Sequence, residues 1–544
     1  MFATILCFHF CLSASAQPLM HKIEFSHGDS LRGSIGPERA WWDVTRYDIH
    51  VEPDYNQRTI RGSVVITYKV IKDVKAGTMQ IDLQEPMKIT RIEGEKEMPR
   101  YTREGNVYHV SIGGTQLNSV KKLKIYFTGK PRIAVNPPWD GGWIFTSDAK
   151  GRPWMTVACQ GLGASVWYPC KDHQSDEPDN GASLSITAPD SLIAVGNGRL
   201  IDKKSNNKGS TTWKWEVKNP INNYTIIPYI GKYVTWNEIY NGEKGQLDCS
   251  YWVMDYNLEK AKKQFTQVKD MLKCFEYWMG PYPFYEDSYK LVETPHLGME
   301  HQSAVAYGNK FLNGYLGQDL SGTGWGKKWD YIIVHESGHE WFGNNITAND
   351  EADLWIQEGF TCYSESLFVG CQYGQDAANA YTQGLRKGIS NEGIVIGPYG
   401  VNQEGSSDMY NKGNNIIHTI RQVIDNDSLF RQILRGLNRD FYHKTVDSKD
   451  VENYISEKSG KDFSKVFDQY LRTTNIPILE WKLDNQALLY RWANTVDGFN
   501  MPVRINNSVW LEPTQEWKSL AITDNIKNGV TADKNFYITV RKTE

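Results

Sequence analysis

The chain has 544 residues, which is too long for one ordinary domain and indicates about three. Hydrophobic residues make up 40% of it and charged residues 23%, the balance of a folded protein rather than a disordered one. The net charge is −4 and the isoelectric point about 6.3, so neither nucleic acid nor an anionic membrane surface is indicated as a partner.

The first residues are typical of a secretory signal peptide. Residues 1–12 are largely apolar, and the small residues 13–16 offer a cleavage site before Gln17. We therefore expect residues 1–16 to form a signal peptide and the mature chain to be exported, either to the periplasm or out of the cell.

Cysteine usage and apolar runs add two weaker inferences. Of eight cysteines, Cys7 and Cys11 would leave with the signal peptide, and the remaining six permit disulfides without revealing a connectivity. No other apolar stretch reaches the roughly eighteen residues that are needed to cross a bilayer, so no membrane span is predicted.

Residues 30–235 are predicted to form a β-rich domain. Short runs in which apolar and polar residues alternate recur between turn residues, for example at 47–52, 62–70 and 211–217. This alternation is the pattern of strands with one buried face.

From Leu258 the period changes to that of helices. Apolar residues between 258 and 278 fall on one face, which predicts a single helix that ends before the Gly-Pro-Tyr-Pro segment at 280–283. Helical patterns continue to about residue 473, and strand patterns return after Pro477. We therefore expect a mainly helical domain at 236–476 and a small β domain at 477–544.

The segment His335-Glu336-Ser337-Gly338-His339 carries the strongest chemical signal. Histidines four residues apart lie one turn apart on the same face of a helix, so both imidazoles can reach one metal ion. Glu358 follows after eighteen intervening residues, on a second predicted helix. Two histidines and one glutamate leave a fourth position for water, as at a catalytic zinc, and predict a zinc-dependent hydrolase of peptide bonds.

Several other segments match one known family. Gly298-Met299-Glu300-His301 looks like a Gly-x-Met-Glu-Asn signature, and further matching segments lie at residues 169–172, 280–284, 341–344, 354–360 and 410–413. Together they resemble the M1 family of gluzincin zinc aminopeptidases over about residues 41–479. The resemblance implies an α+β multidomain fold, with a β-rich, saddle-like N-terminal domain packed on a thermolysin-like, mainly helical catalytic domain.

The resemblance also implies a role for each site residue. His335, His339 and Glu358 would hold one Zn²⁺ per chain, and Glu336 would act as the general base on a zinc-bound water. Tyr410 matches the family tyrosine that donates a hydrogen bond to the oxyanion.

Removal of single N-terminal residues requires a group that holds the free α-amine of the peptide. Glu300 matches the family glutamate with this task, and Gln160 matches a second amine-binding position. Gly298 and Met299 belong to the same substrate-binding segment. The expected partners are peptides with a free N-terminus.

The match departs from the family at three places. His301 stands where the family usually has Asn, and the loop at 171–178 is longer than the common form. Many relatives also carry a large helical C-terminal domain for which we expect no room here. The cleft is then either more open, or is covered by formation of a homodimer.

Two alternatives to an aminopeptidase remain open from the sequence. One is a thermolysin-like endopeptidase, which would cleave peptides with a blocked N-terminus. The other is a catalytically inactive peptide-binding scaffold, although such a protein has no need to retain Glu336 and Tyr410. Hydrolysis of an epoxide at the same zinc is a remoter hypothesis.

Overall fold

A computed structural model describes residues 24–73, 77–95, 97–207, 209–484 and 487–544. The predicted signal peptide at 1–16 lies outside these residues. The fold class predicted from the sequence is confirmed: a β-rich N-terminal domain, a mainly helical domain and a C-terminal β domain follow one another along the chain. No helix in the described ranges combines the length and the apolar character needed to cross a membrane.

The N-terminal domain is built from three sheets. Helix α1 (His27–Gly33) precedes a seven-stranded sheet of order β12-β13-β10-β1-β2-β7-β4, in which β1 and β10 are parallel. A four-stranded sheet (β11-β14-β9-β8) and a three-stranded sheet (β3-β6-β5) complete the domain. The strands are β1 (Trp42–Asp54), β2 (Thr59–Val70), β3 (Gly77–Asp82), β4 (Lys88–Gly94), β5 (Tyr101–Glu104), β6 (Val107–Ile112), β7 (Val120–Gly129), β8 (Gly142–Ser147), β9 (Pro153–Ala158), β10 (Ala182–Pro189), β11 (Ile193–Val195), β12 (Arg199–Ser205), β13 (Ser210–Val217) and β14 (Tyr229–Gly231).

The alternation seen in the sequence sets which face of these strands is buried. In β13, Thr211, Trp213, Trp215 and Val217 are buried, and the residues between them are half-exposed. One face of the large sheet therefore covers the core of the domain, as a strand with a period of two requires.

The second domain begins with a five-stranded sheet of order β15-β16-β17-β19-β18, and helices then predominate. The predicted boundary between residues 235 and 236 lies inside β15. The strands are β15 (Tyr233–Gly242), β16 (Gly245–Met254), β17 (Tyr289–Glu293), β18 (Gly298–Met299), β19 (Val305–Tyr307), β20 (Ile346–Ala348) and β21 (Lys444–Val446). The helices are α2 (Leu258–Gln264), α3 (Gln267–Met279), α4 (Tyr331–Gly338), α5 (Trp355–Tyr373), α6 (Gln375–Leu385), α7 (Asn411–Ile424), α8 (Asp427–Asp440), α9 (Ser448–Ser459) and α10 (Ser464–Arg472).

The single helix predicted for residues 258–278 is wrong, because the structure divides it into α2 and α3. Phe265 ends α2 and is buried among the rings of Trp236, Tyr251 and Tyr307. The Thr266 hydroxyl then donates to the carbonyl of Lys263, a local bond that competes with a continuous helix. Both helices bury the face that the apolar spacing indicates. The spacing therefore predicted the buried face correctly but not the break between α2 and α3.

The C-terminal domain consists of a four-stranded sheet, β26-β23-β22-β27, and the hairpin β24-β25. Its strands are β22 (Ile478–Asp484), β23 (Ala487–Ala493), β24 (Val503–Ile505), β25 (Val509–Leu511), β26 (Lys518–Ala521) and β27 (Thr539–Lys542). Its apolar side chains join the core of the helical domain in one continuous cluster.

One disulfide joins two helices of the second domain. Cys274 on α3 is bonded to Cys371 on α5, 97 positions later in the chain. The other four cysteines in the described part of the chain, Cys159, Cys170, Cys249 and Cys362, are buried thiols.

Candidate metal centre and peptide cleft

Helix α4 presents the two predicted histidines. The side chain of Asp330 caps its first turn by accepting from the backbone N–H groups of Ile332 and Ile333. The aromatic and aliphatic residues at the start of the helix are buried, which fixes its rotation and directs His335 and His339 into a cleft. The centroids of the two imidazole rings are 5.0 Å apart.

Helix α5 brings Glu358 to the same point. Its Oε2 atom lies 3.7 Å from Nε2 of His335 and 3.3 Å from Nε2 of His339. All three side chains are almost fully buried. The three residues predicted to bind a metal are therefore brought together by two different helices.

The outer nitrogens of both imidazoles have partners that fix the rings. Nδ1 of His335 lies 2.7 Å from Oε1 of Glu365, two turns along α5 from Glu358. Nδ1 of His339 donates to the backbone carbonyl of Phe342 over 3.0 Å. With Nδ1 acting as the donor in each ring, the Nε2 lone pairs point towards Glu358.

These three residues fit a zinc ion. Two neutral imidazole nitrogens and one carboxylate are the donor set of a catalytic zinc site with an open position. Within the described ranges, Oε2 of Glu358 is a buried oxygen without a hydrogen-bond partner. A buried oxygen of this kind calls for a bound ion or water, and a divalent cation also balances its charge.

Glu336 lies beside this centre and borders the cleft. Burial raises the pKa of its carboxyl to about 7, and a cation at the metal centre would lower that pKa again. Gly298 makes room for it, because a Cβ atom at residue 298 would lie 2.7 Å from Oε1 of Glu336. A side chain at residue 298 would therefore displace Glu336 from its present position.

A second carboxylate, that of Glu300, faces the centre directly after β18 and is 2% exposed. Its Oε1 accepts a hydrogen bond of 2.6 Å from the hydroxyl of Tyr224, and its backbone carbonyl accepts from Asn344. Burial raises the pKa of Glu300, with His339 opposing the rise and Glu358 adding to it. A substrate ammonium group would restore the charged form.

Gln160 reaches the centre from the N-terminal domain. Its Nε2 donates to Oε1 of Glu358 over 3.3 Å, so it lies at the metal centre rather than in a distant turn. Met299 lines the same cleft. His301, the residue that departs from the family signature, is fully buried and its Nδ1 lies 2.5 Å from the hydroxyl of Tyr229.

Tyr410 closes the other side of the centre. Its ring stacks on that of His335 with 6.2 Å between centroids. It precedes α7, which crosses α5 so closely that a Cβ atom on Gly413 would lie 2.7 Å from Cα of Gly359. Burial raises the pKa of Tyr410 well above its ordinary value, so the hydroxyl remains a donor.

All nine residues that the sequence singled out border one cleft of about 430 Å³. Sequence reasoning missed several of its neighbours, including Trp139, Tyr224, Cys362 and Glu392. Tyr224 acts through Glu300 from 76 positions away, and no local pattern marks it. Trp139 lies in a Pro-Pro-Trp segment. Of these residues, it is the one whose side chain the sequence could have indicated as a peptide contact.

Two polar residues near the motifs lie outside the metal centre. The ammonium group of Lys412 donates to the carbonyl of Thr473. The carboxylate of Asp353 accepts from the hydroxyls of Ser448 and Tyr399. It has no contact with His335 or His339 because it precedes α5 and points towards α9.

Two models of one family match this chain. The Peptidase M1 N-terminal domain matches residues 44–225, and the Peptidase family M1 domain matches residues 256–470. Aminopeptidase M1 of Arabidopsis thaliana is 22% identical over 470 residues, which cover 81% of this chain and 51% of that protein. Leukotriene A-4 hydrolase of Xenopus laevis is 23% identical over 368 residues, which cover 63% of this chain and 57% of that protein. The chain thus spans about half the length of these relatives.

Solved structures share the fold. A mutant of the M1 zinc metallopeptidase from Deinococcus radiodurans superimposes with a TM-score of 0.68 at 18% identity, covering 81% of this chain and 97% of that one. A further structure of that enzyme, bound to a Tyr-Ser-Ala substrate, superimposes with a TM-score of 0.66 at 18% identity and covers 79% of this chain and 94% of that one.

Proposed function

Because the chain belongs to peptidase family M1, we propose that it is a zinc-dependent aminopeptidase that removes single residues from the N-terminus of peptides. The observation that carries this proposal is the place of Glu300. A buried carboxylate lies beside the metal centre and borders the same cleft as Glu336 and Tyr410. A peptide with a free α-amine supplies the cation that this carboxylate lacks.

The cofactor is one Zn²⁺ per chain, held by His335, His339 and Glu358. When bound, the ion lowers the pKa of a water molecule and polarises the carbonyl of the bond to be cleaved. This is the single part of the chemistry that the side chains cannot supply themselves.

Glu336 moves the proton. As the water oxygen bonds to the carbonyl carbon, the Glu336 carboxylate accepts the proton of the water. When the carbon–nitrogen bond breaks, Glu336 gives the proton to the leaving amine. Its place next to the centre, in a pocket opened by Gly298, suits both steps.

Tyr410 stabilises the oxyanion, and the amine-binding residues hold the N-terminus of the peptide. The protonated hydroxyl of Tyr410 donates to the oxyanion that develops on the former carbonyl oxygen. Glu300, supported by Tyr224, binds the α-ammonium group together with Gln160. Fixing the amine beside the metal places the first peptide bond, and no later one, at Glu336. The relative that was solved with Tyr-Ser-Ala agrees with a short peptide as substrate.

Cleavage of matched substrates tests this proposal. We would measure fluorophore release from a panel of aminoacyl amides, each beside its N-acetylated twin, with and without a chelator. We expect release only from the free-amine set, and only without chelator. A Glu276→Gln variant, which changes a buried glutamate outside the cleft lining, should cleave both sets as the wild type does.

Two other outcomes would replace the proposal. Cleavage of the acetylated twins would indicate a thermolysin-like endopeptidase and remove the role of Glu300. No cleavage of either set, with zinc bound in equal molar amount, would indicate the peptide-binding scaffold.

We further propose that the chain is exported after removal of residues 1–16. The apolar N-terminus supports this, and the Cys274–Cys371 disulfide is the kind of bond that persists in an oxidising compartment. N-terminal sequencing of the protein recovered from the periplasm or the medium should begin at Gln17. Recovery in the cytoplasm with an intact Met1 would contradict export.

A further inference from the structure

The small C-terminal β domain reaches the wall of the cleft. One stretch of that wall, which we call the cleft loop, comprises residues 386–392 between α6 and α7 and contributes Gly388, Ser390 and Glu392 to the lining. A segment of the C-terminal domain, residues 533–537, packs directly against it. This contact joins elements about 146 positions apart in the chain.

Six hydrogen bonds fasten that segment to the helical domain, and four of them involve Tyr537 or the cleft loop. The hydroxyl of Tyr537 accepts from Nδ2 of Asn391 over 3.0 Å, and its backbone N–H donates to Thr419 on α7. Its backbone carbonyl accepts from the hydroxyl of Tyr470 over 2.6 Å. Arg386, at the start of the cleft loop, donates to the carbonyl of Lys534. Tyr537 is buried, and its bonds to Thr419 and Tyr470 are shielded from water.

The cleft loop is also tied to the segment that carries Tyr410. The carboxylate of Asp408 accepts from the backbone N–H groups of Ser390 over 2.8 Å and Asn391 over 2.7 Å. Asp408 lies two residues before Tyr410. Asn391 is therefore held twice, by Asp408 through its backbone and by Tyr537 through its side chain.

The position of the loop indicates which part of a peptide it meets. Gln160 contacts Glu358, and Tyr410 stacks on His335. Asp408 fastens the cleft loop to the segment that carries Tyr410. With the amine at Glu300 and the carbonyl of the cleaved bond at Tyr410, we expect the residues that follow that bond to meet the loop.

We propose that the C-terminal β domain, through the bond between Tyr537 and Asn391, positions the cleft loop to bind the residues that follow the cleaved bond. This role rests on the proposed aminopeptidase function and assigns a positioning task to a domain whose described residues lie outside the metal centre. Tyr537 and Asn391 act on the peptide through the loop. Short substrates do not extend far enough to depend on them.

The test compares a short and a long substrate in Tyr537→Phe. The variant keeps the ring and removes only the hydroxyl that Asn391 bonds. We expect KM for a hexapeptide to rise about fivefold, the factor for one ordinary hydrogen bond, with kcat unchanged. KM and kcat for a fluorogenic aminoacyl amide with the same first residue should stay at the wild-type values.

Two further variants separate positioning from general damage. Asn391→Ala should give the same rise, and the double variant no more than either alone, because both remove one bond. Tyr490→Phe is the matched control, a buried tyrosine of the same domain outside the cleft loop, and should change neither substrate. If Tyr537→Phe does not fold, Asn391→Ala carries the test. Equal changes for both substrates, or no change for the hexapeptide, would overturn the proposal.

Failure of the aminopeptidase function is distinguishable from failure of this proposal. If the wild type cleaves neither substrate, the affinity for a labelled hexapeptide is measured by fluorescence anisotropy in the wild type, in Tyr537→Phe and in Asn391→Ala. Weaker binding in both variants supports the positioning role, and equal binding in all three refutes it.

Discussion

The carboxylate of Glu365 lies 2.7 Å from Nδ1 of His335, while Nε2 of the same ring faces Glu358 at 3.7 Å. One histidine is thus held between two glutamates of α5 that are seven residues apart. The hydroxyl of Tyr381 donates to the other carboxylate oxygen of Glu365 over 2.6 Å. The orientation of the metal ligand therefore depends on a short chain of buried polar groups.

Glu365→Gln should weaken zinc binding without unfolding the protein. An amide is a poorer acceptor for the Nδ1 proton and leaves the ring less firmly oriented, so we expect about 10- to 100-fold lower zinc affinity. Competition with a chromogenic chelator measures this affinity. The matched control is Glu276→Gln, which changes a buried glutamate that accepts from two tyrosines outside the cleft lining. An unchanged affinity in Glu365→Gln would mean that Glu365 does not orient the ligand.

Glu336→Gln separates chemistry from metal binding. The amide cannot accept the proton of water, so kcat should fall by about 10²- to 10⁴-fold. Zinc content should stay at one per chain, because His335, His339 and Glu358 are unchanged. Metal analysis beside steady-state kinetics checks both. Activity within tenfold of the wild type would remove Glu336 as the general base.

The contact between Gly413 and Gly359 gives a structural test of the Tyr410 position. In Gly413→Ala the new methyl group meets backbone, which cannot move as a flexible side chain could. We expect a loss of about 1–3 kcal/mol of stability and at least a tenfold loss of kcat, because α7 shifts and carries Tyr410 with it. Thermal unfolding and kinetics on one sample measure the two effects.

A second glycine supplies the control for that variant. A Cβ atom on Gly370, also on α5, would lie 3.4 Å from Cβ of Ala378, an ordinary contact. Gly370→Ala should therefore preserve both stability and activity. Loss of activity in Gly370→Ala as well would show that α5 tolerates no added methyl group and would remove the specific argument about Tyr410.

Tyr224→Phe tests the amine pocket. The Tyr224 hydroxyl stabilises the charged form of Glu300, so its loss should raise the pKa of Glu300 further and weaken binding of the α-ammonium group. We expect about a tenfold higher KM for free-amine substrates, with kcat little changed. Tyr282→Phe removes a similar tyrosine–carboxylate bond, to Glu340, outside the cleft lining and serves as the control. Equal KM values in the two variants would contradict the assignment of Tyr224.

The parts of the site that the sequence could predict are those set by spacing within one helix. His335 and His339 share a face of α4 because they are four residues apart, and Glu358 and Glu365 share a face of α5 because they are seven apart. The strands of the N-terminal domain follow their alternation in the same way. Local periodicity determines these features, so a single sequence contains them.

The parts that could not be predicted depend on contacts between distant segments. Nothing near Glu300 indicates Tyr224, and nothing near Asn391 indicates Tyr537. The break between α2 and α3 has the same origin, since the burial of Phe265 among aromatic rings of other elements decides it. The positions of the six cysteines outside the predicted signal peptide likewise did not predict a disulfide. The disulfide between Cys274 and Cys371 forms because the fold brings α3 and α5 together.

Stability should depend on pH through Glu293, a buried glutamate at the end of β17 that lies outside the cleft lining. Its carboxylate accepts from the backbone N–H of Met254 and from Asn257, yet burial is the larger effect and raises its pKa to about 7. From the ordinary value of about 4.5 up to about 7, the folded state holds a proton that the unfolded state has lost. The stability that this group contributes is therefore complete below about pH 4.5 and is lost as the pH rises through 7.

Glu293→Gln should remove that dependence, because the amide does not titrate and is never charged in the folded protein. Relative to the wild type, the variant should gain stability between pH 4.5 and pH 8, by on the order of 3 kcal/mol. Urea unfolding of both proteins at the two pH values measures the difference, and Glu259→Gln on an exposed helix face reports the effect of removing a carboxylate alone. A constant stability difference between Glu293→Gln and the wild type at both pH values would show that Glu293 is charged in the folded protein throughout this range.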